Sequence, residues 1–169
     1  MGKLLFRIAR LKIMGTLVGF VLAYLPFLLP VKKIAQTKNA IAFKHPAASY
    51  PEHILIIPRK IAHTAFNLSS ADFLAVIDMA QKIWHGDDRD FVLVINGGSR
   101  QDVMQAHFHL FTGNLVERKG LTQKVDSSFL QADELFNLHS ILRRHEVSEE
   151  TFSVVIQFTN DTKQSMYLM

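Results

Sequence analysis

Val103-Met104-Gln105-Ala106-His107-Phe108-His109-Leu110-Phe111 settles the fold. Polar and apolar residues alternate along it, the period of a β-strand with one buried face. Gln105, His107 and His109 are expected to line one face, with Ala106, Phe108 and Leu110 turned to the core. Gly113-Asn114 stops the strand. A row of three nitrogen-bearing side chains makes a surface able to hold an anion. Histidine adds the capacity to donate hydrogen bonds, carry charge near neutral pH, or attack as a nucleophile.

Other elements follow on both sides. Ala40 to Phe43 reads as a short strand, and Pro46 and Pro51 mark a turn-rich connection. His53-Ile54-Leu55-Ile56-Ile57 is an apolar, β-branched strand ended by Pro58. Ser69 or Ser70 caps a helix, with Asp72 in its first turn. Phe73, Ile77, Ala80 and Trp84 recur at helical spacing. Phe91 to Ile95 is a further strand, and Asn96-Gly97-Gly98-Ser99 a tight loop. Beyond residues 115–128, read as loop, Ala132 to Arg144 is expected to be a helix. Thr151 to Phe158 is a strand, and Ser165 to Leu168 pairs back on it. The fold class is α+β: a mostly antiparallel sheet with helices packed on one side, plus an N-terminal hydrophobic helix.

Three segments in succession carry a family resemblance. They are His53-Ile54-Leu55-Ile56-Ile57-Pro58-Arg59-Lys60, then Phe91-Val92-Leu93-Val94-Ile95-Asn96-Gly97-Gly98 followed by Gln101, then Gln105-Ala106-His107-Phe108-His109-Leu110-Phe111. Together they resemble the histidine-triad (HIT) superfamily, with glutamine in place of the first triad histidine. The resemblance covers about residues 39–114. It implies cleavage or transfer of a nucleotidyl group through a covalent nucleotidyl-histidine. The nucleophile then falls on His107. His109 and His53 orient and neutralise the phosphate. Asn96 and Gln101 match positions near the phosphate and the loop framing it. The ligand-binding set is completed by Gln105, Asp102 and His45. The partner implied is a nucleotide-type small molecule, and no metal or other cofactor is required.

The sequence departs from that pattern at three places. Gln105 hydrogen-bonds but takes no proton. Asp102 stands where many relatives have a serine, and an ionised carboxylate repels phosphate. His45 stands where relatives often carry an aspartate gripping ribose hydroxyls. A non-catalytic nucleotide- or phosphate-binding module, or an accessory subunit of a membrane complex, is therefore the alternative. A zinc site is the other rival, because His-x-His on a strand with a third histidine from His53, His63 or His45 can bind zinc. No carboxylate sits at a telling spacing, and no metal is assigned.

Charge is unevenly placed. The 169 residues carry a formal net charge of +4 and no cysteine. Lys3, Arg7, Arg10, Lys12, Lys32, Lys33, Lys38 and Lys44 precede the first acid, Glu52. The basicity thus flanks the uncharged run Ile13 to Val31, which just reaches the ~20 residues a spanning helix needs. That placement points to anionic lipid headgroups and not to nucleic acid. A cleaved signal peptide is the rival, weakened by the lack of a small-x-small site. Pro26 and Pro30 break the second half, so an in-plane or re-entrant anchor is a further option. The expected plan is a basic, hydrophobic membrane anchor at residues 1–38, a HIT-like core at 39–114, and a C-terminal extension at 115–169 packed on it. The expected location is the membrane, with the soluble part on the cytoplasmic side. A homodimer or a membrane-complex partner is an open expectation.

Overall fold

The computed structural model describes residues 32–45, 48, 50, 52–85, 89–101, 103, 105–113, 124–125, 150–158 and 164–168, together with 17, 20, 21 and 24. The expected helix at Ala132 to Arg144 and the residue Asp102 lie outside these. Eight strands form one sheet: β1 (Lys33–Gln36), β2 (Ala40–Lys44), β3 (Ile54–Pro58), β4 (Phe91–Gly98), β5 (Phe108–Thr112), β6 (Lys124–Val125), β7 (Thr151–Phe158) and β8 (Gln164–Leu168). The order across the sheet is β1-β2-β3-β5-β4-β7-β8-β6. Every pairing is antiparallel. β1 falls within the segment read from sequence as anchor, where no strand was expected.

One helix, α1 (Ser70–Trp84), covers one face. Ser69 caps it: the Asp72 amide donates to Ser69 Oγ at 3.3 Å, and that hydroxyl donates to Asp72 Oδ2 at 2.6 Å. The cap satisfies donors that the first turn leaves without partners. Phe73, Ile77, Ala80 and Trp84 are buried as their spacing predicts. They meet Ala40, Ala42, Ile54, Ile56, Leu93, Ile95, Phe108, Leu110, Val154 and Ile156 in the main core. On the opposite face Ile41, Phe43 and Ile57 form one apolar cluster, and Val92, Val94, Phe111 and Val155 another. Both faces of the central strands are therefore buried, and β4 reads as a continuous apolar run.

Two boundaries differ from the sequence reading. β4 runs on through Asn96, Gly97 and Gly98 instead of turning at Asn96. Its last residues pair with Ser153, Phe152 and Thr151 of β7, which the local sequence could not reveal. The glycines are needed there. A Cβ on Gly97 would run into the Phe152 ring, and one on Gly98 into the Glu150 carbonyl. Gly98 also has φ 58, a conformation glycine adopts without penalty. The second difference lies before β5, which begins at Phe108 and not at Val103. The Gln105 amide turns back to the Val103 carbonyl at 2.8 Å, and the Ala106 amide donates to Ala62 O at 2.6 Å. The alternation argument therefore holds for Phe108 to Phe111 and fails for Gln105. The side chain of Gln105 is buried beneath residues 60–62.

Leu17, Phe20, Val21 and Tyr24 are helical. Among the described residues no helix is long and apolar enough to cross a membrane.

Candidate functional site

The site lies on the sheet face away from α1. Its position follows from register. Leu55 of β3 and Val94 of β4 both pair with His109 of β5, so all three side chains share a face. His53 sits one residue before β3 and His45 one residue after β2, and β2 and β3 pair through Lys44 and Ile54. The antiparallel ladder therefore brings His45 beside His53, and the His45 amide donates to the His53 carbonyl at 2.8 Å.

Four imidazoles meet there. The His45 and His53 rings stack with centroids 4.1 Å apart and planes 8° from parallel. His53 Nε2 lies 2.9 Å from His109 Nδ1, a hydrogen bond in which one ring donates and the other accepts. The His109 and His107 rings meet edge to face, with centroids 5.0 Å apart. His107 Nδ1 lies 2.7 Å from the Gln105 carbonyl oxygen. A carbonyl only accepts, so Nδ1 carries the proton. In neutral His107 the lone pair then belongs to Nε2. His53 is buried, and its Nδ1 has no hydrogen-bond partner among the described residues.

Burial and crowding favour the neutral forms of His53 and His109. Desolvation, then the neighbouring His45, pushes His53 down from 6.5 to about 4. Desolvation first, and then His107, His53 and His45, pushes His109 down to about 2. Removing a charged imidazole from water is costly, and a like charge on a neighbouring ring adds to that cost. Both values lie below those of the unfolded chain, which therefore takes up protons first as pH falls. Well above pH 6.5 the two states differ by no proton at these rings. Below it the folded state loses stability, by at most about 1.4 kcal/mol per pH unit for each ring. Urea midpoints measured without added metal should fall steadily from pH 6.5 to 4.5. Replacing His109 with asparagine should make that decline shallower, and an unchanged slope would contradict the assignment.

The other residues expected to line the site divide into two groups. Asn96 extends the polar strip. Its Oδ1 accepts a hydrogen bond of 2.7 Å from Ser153 Oγ, and Arg100 Nη1 lies 3.4 Å from the same hydroxyl. The carbonyl of Asn96 is thereby occupied, leaving its NH2 as the end that can donate to a ligand. Gln101 and Gln105 act on the backbone instead. Gln101 Nε2 donates to the carbonyls of His63 and Val103. Gln105 Nε2 donates to Lys60 O at 3.0 Å, and its Oε1 accepts from the Ala62 amide at 3.3 Å. The two glutamines staple the segment after β3 to the turn before β5. That turn presents the carbonyl which orients His107.

Sequence reasoning missed Tyr50, Arg100 and Ser153. Tyr50 stacks on Phe111 with centroids 4.3 Å apart and meets His53 in a T-shaped contact. Ser153 could be found only from the pairing of β7 with β4, because nothing in residues 151–158 marks it apart from other strand positions.

Comparisons with known proteins agree with this fold. A family model described as the HIT domain matches residues 28–115. An uncharacterized HIT-like protein of Chlamydia muridarum is 34% identical over 92 residues, spanning 50% of this chain and 72% of that protein. Two solved structures share the fold. A hypothetical protein from Leishmania major superposes with a TM-score of 0.51 at 22% identity, over 75% of this chain and 98% of that one. A yeast Ap4A phosphorylase solved with AMP gives a TM-score of 0.53 at 13% identity, over 88% of this chain and 64% of that one.

Proposed function

The chain belongs to the HIT domain family, and on that premise we propose that it is a nucleotidyl hydrolase or transferase with His107 as nucleophile. The single observation that carries this reading is the 2.7 Å contact between His107 Nδ1 and the Gln105 carbonyl. It fixes the tautomer, leaves Nε2 as the attacking atom, and stabilises the imidazolium that forms when Nε2 bonds to phosphorus. In the first step the Nε2–phosphorus bond forms and the bond from phosphorus to the leaving group breaks, with its electron pair leaving on that group. Water or an acceptor then attacks the nucleotidyl-histidine and restores the ring. His109, through Nε2, and the Asn96 NH2 supply hydrogen bonds to the phosphate oxygens, in the manner of a preorganised anion site, and His53 orients His109 by donating from Nε2 to its Nδ1. The substrate class is a nucleotide phosphoramidate or phosphoanhydride conjugate. The test is release of nucleoside monophosphate from a panel of such conjugates by the full chain. Saturable binding without release would instead favour a non-catalytic binding module. That second reading is supported by Gln105, whose amide is committed to Lys60 and Ala62 and brings no titratable group to the ligand.

The segment before β1 attaches the protein to a membrane in this proposal. Support comes from the uncharged run Ile13 to Val31 between basic clusters. Leu17, Phe20 and Tyr24 lie on one helical face, exposed by 53%, 42% and 42%. The full chain should float with vesicles containing anionic phospholipid, whereas a Leu17→Glu/Phe20→Glu variant should stay at the bottom of the gradient. Equal flotation of the two would remove this face from the account.

A further inference from the structure

His45 is not used by the chemistry at His107, yet it is packed into the same cluster. We infer that His45, His53 and His109 form a binding site for one divalent transition cation of the zinc class, with one coordination position left open.

Two observations lead there. First, each of the three residues offers a ligand nitrogen, and these atoms lie within 4.8 Å of one another. Two nitrogens ~2.05 Å from a tetrahedral ion are roughly 3.3 Å apart. The 2.9 Å between His53 Nε2 and His109 Nδ1 needs to open by only a few tenths of an ångström. Second, the donor set is all imidazole. Nitrogen ligands suit zinc, copper, nickel and iron, whereas magnesium and calcium require oxygen. Three protein ligands and a fourth, exchangeable position are the pattern of an open zinc site.

Coordination also predicts a movement. His45 is stacked nearly parallel to His53, so its ring has to turn out of the stack to point a nitrogen at the ion. His45 is half-buried and lies past the end of β2, so a side-chain rotation suffices. The open position would face a water or an oxygen of an anionic ligand next to His107, whose ring lies 5.0 Å from that of His109.

The inference does not depend on nucleotidyl transfer, and its test uses no nucleotide. The full chain, stripped with a chelator and desalted, is titrated with Co2+. One equivalent should produce the intense visible bands of tetrahedral cobalt, and Zn2+ should abolish them. His45→Asn and His109→Gln should each weaken binding at least tenfold, whereas His85→Asn and His107→Ala should leave the bands in place. Thermal melts guard against misfolded variants. Zn2+ should raise the melting temperature of the native chain, Mg2+ should not, and neither should move that of His45→Asn. Absence of cobalt bands from the native chain would overturn the site. So would bands that survive both His45→Asn and His109→Gln.

Discussion

Replacing His107 with alanine is expected to reduce release of nucleoside monophosphate by about 10³-fold or more while leaving the fold intact. A nucleophile that forms a covalent intermediate has no substitute within reach, and removing such a group from an enzyme costs on the order of 10³–10⁶ in rate. The neighbours do not replace it. His53 Nε2 and His109 Nδ1 already face each other at 2.9 Å, and the Asn96 amide is not basic. His107 is half-buried at the entrance to β5, so truncation opens space at the site and not in the core. Steady-state kinetics of the full chain, with circular dichroism as the fold control, decide the point. A loss confined to KM, with kcat unchanged, would show that His107 binds the phosphate without attacking it.

The second large effect concerns stability and involves the residue between the two histidines. Phe108 is fully buried in the main core. Its ring meets Phe73 of α1 edge to face, with centroids 5.5 Å apart, and its backbone pairs with Ile56 and Ile95. Phe108→Ala should cost about 3–5 kcal/mol, the usual loss when a buried aromatic ring becomes a cavity. A domain of this size has only about 5–15 kcal/mol in total, so this variant should be unfolded in part at 37 °C. Phe108→Leu should cost much less, because most of the volume is kept. Urea midpoints at constant m-value give both numbers. A loss for Phe108→Ala below about 1 kcal/mol would contradict the placement of this side chain at the centre of the core.

The fold was legible wherever a segment's own pattern matched its surroundings. The Ser69 cap and the spacing of Phe73, Ile77, Ala80 and Trp84 specify α1 locally, and the structure agrees to within a residue. The β-branched run before Pro58 likewise marked β3. Misreadings arose where distant partners decide the conformation. Asn96-Gly97-Gly98 has the composition of a turn, but Phe152 and Thr151 hold Gly97 and Gly98 in β4. Gln105 has the right parity to share a face with His107, but its amide is drawn to Lys60 and Ala62. β1 is a short edge strand with two lysines preceding its apolar residues, and it gave no alternating signal. The candidate site shows the same division. His53, His107 and His109 were legible from motif and register. The stacking of His45 on His53 and the contact between Ser153 and Asn96 exist only because β2 meets β3 and β4 meets β7 in space.

Mass spectrometry of the intact and digested chain can catch the covalent step at His107. The full chain is mixed with its best conjugate from the panel and quenched in base within the first turnover, because a phosphorus–nitrogen bond to histidine is labile in acid. A single added mass of one nucleoside monophosphate, located on His107 and absent from His107→Ala, is the predicted result. Steady release of product with no such adduct, or with the adduct on another residue, would contradict it.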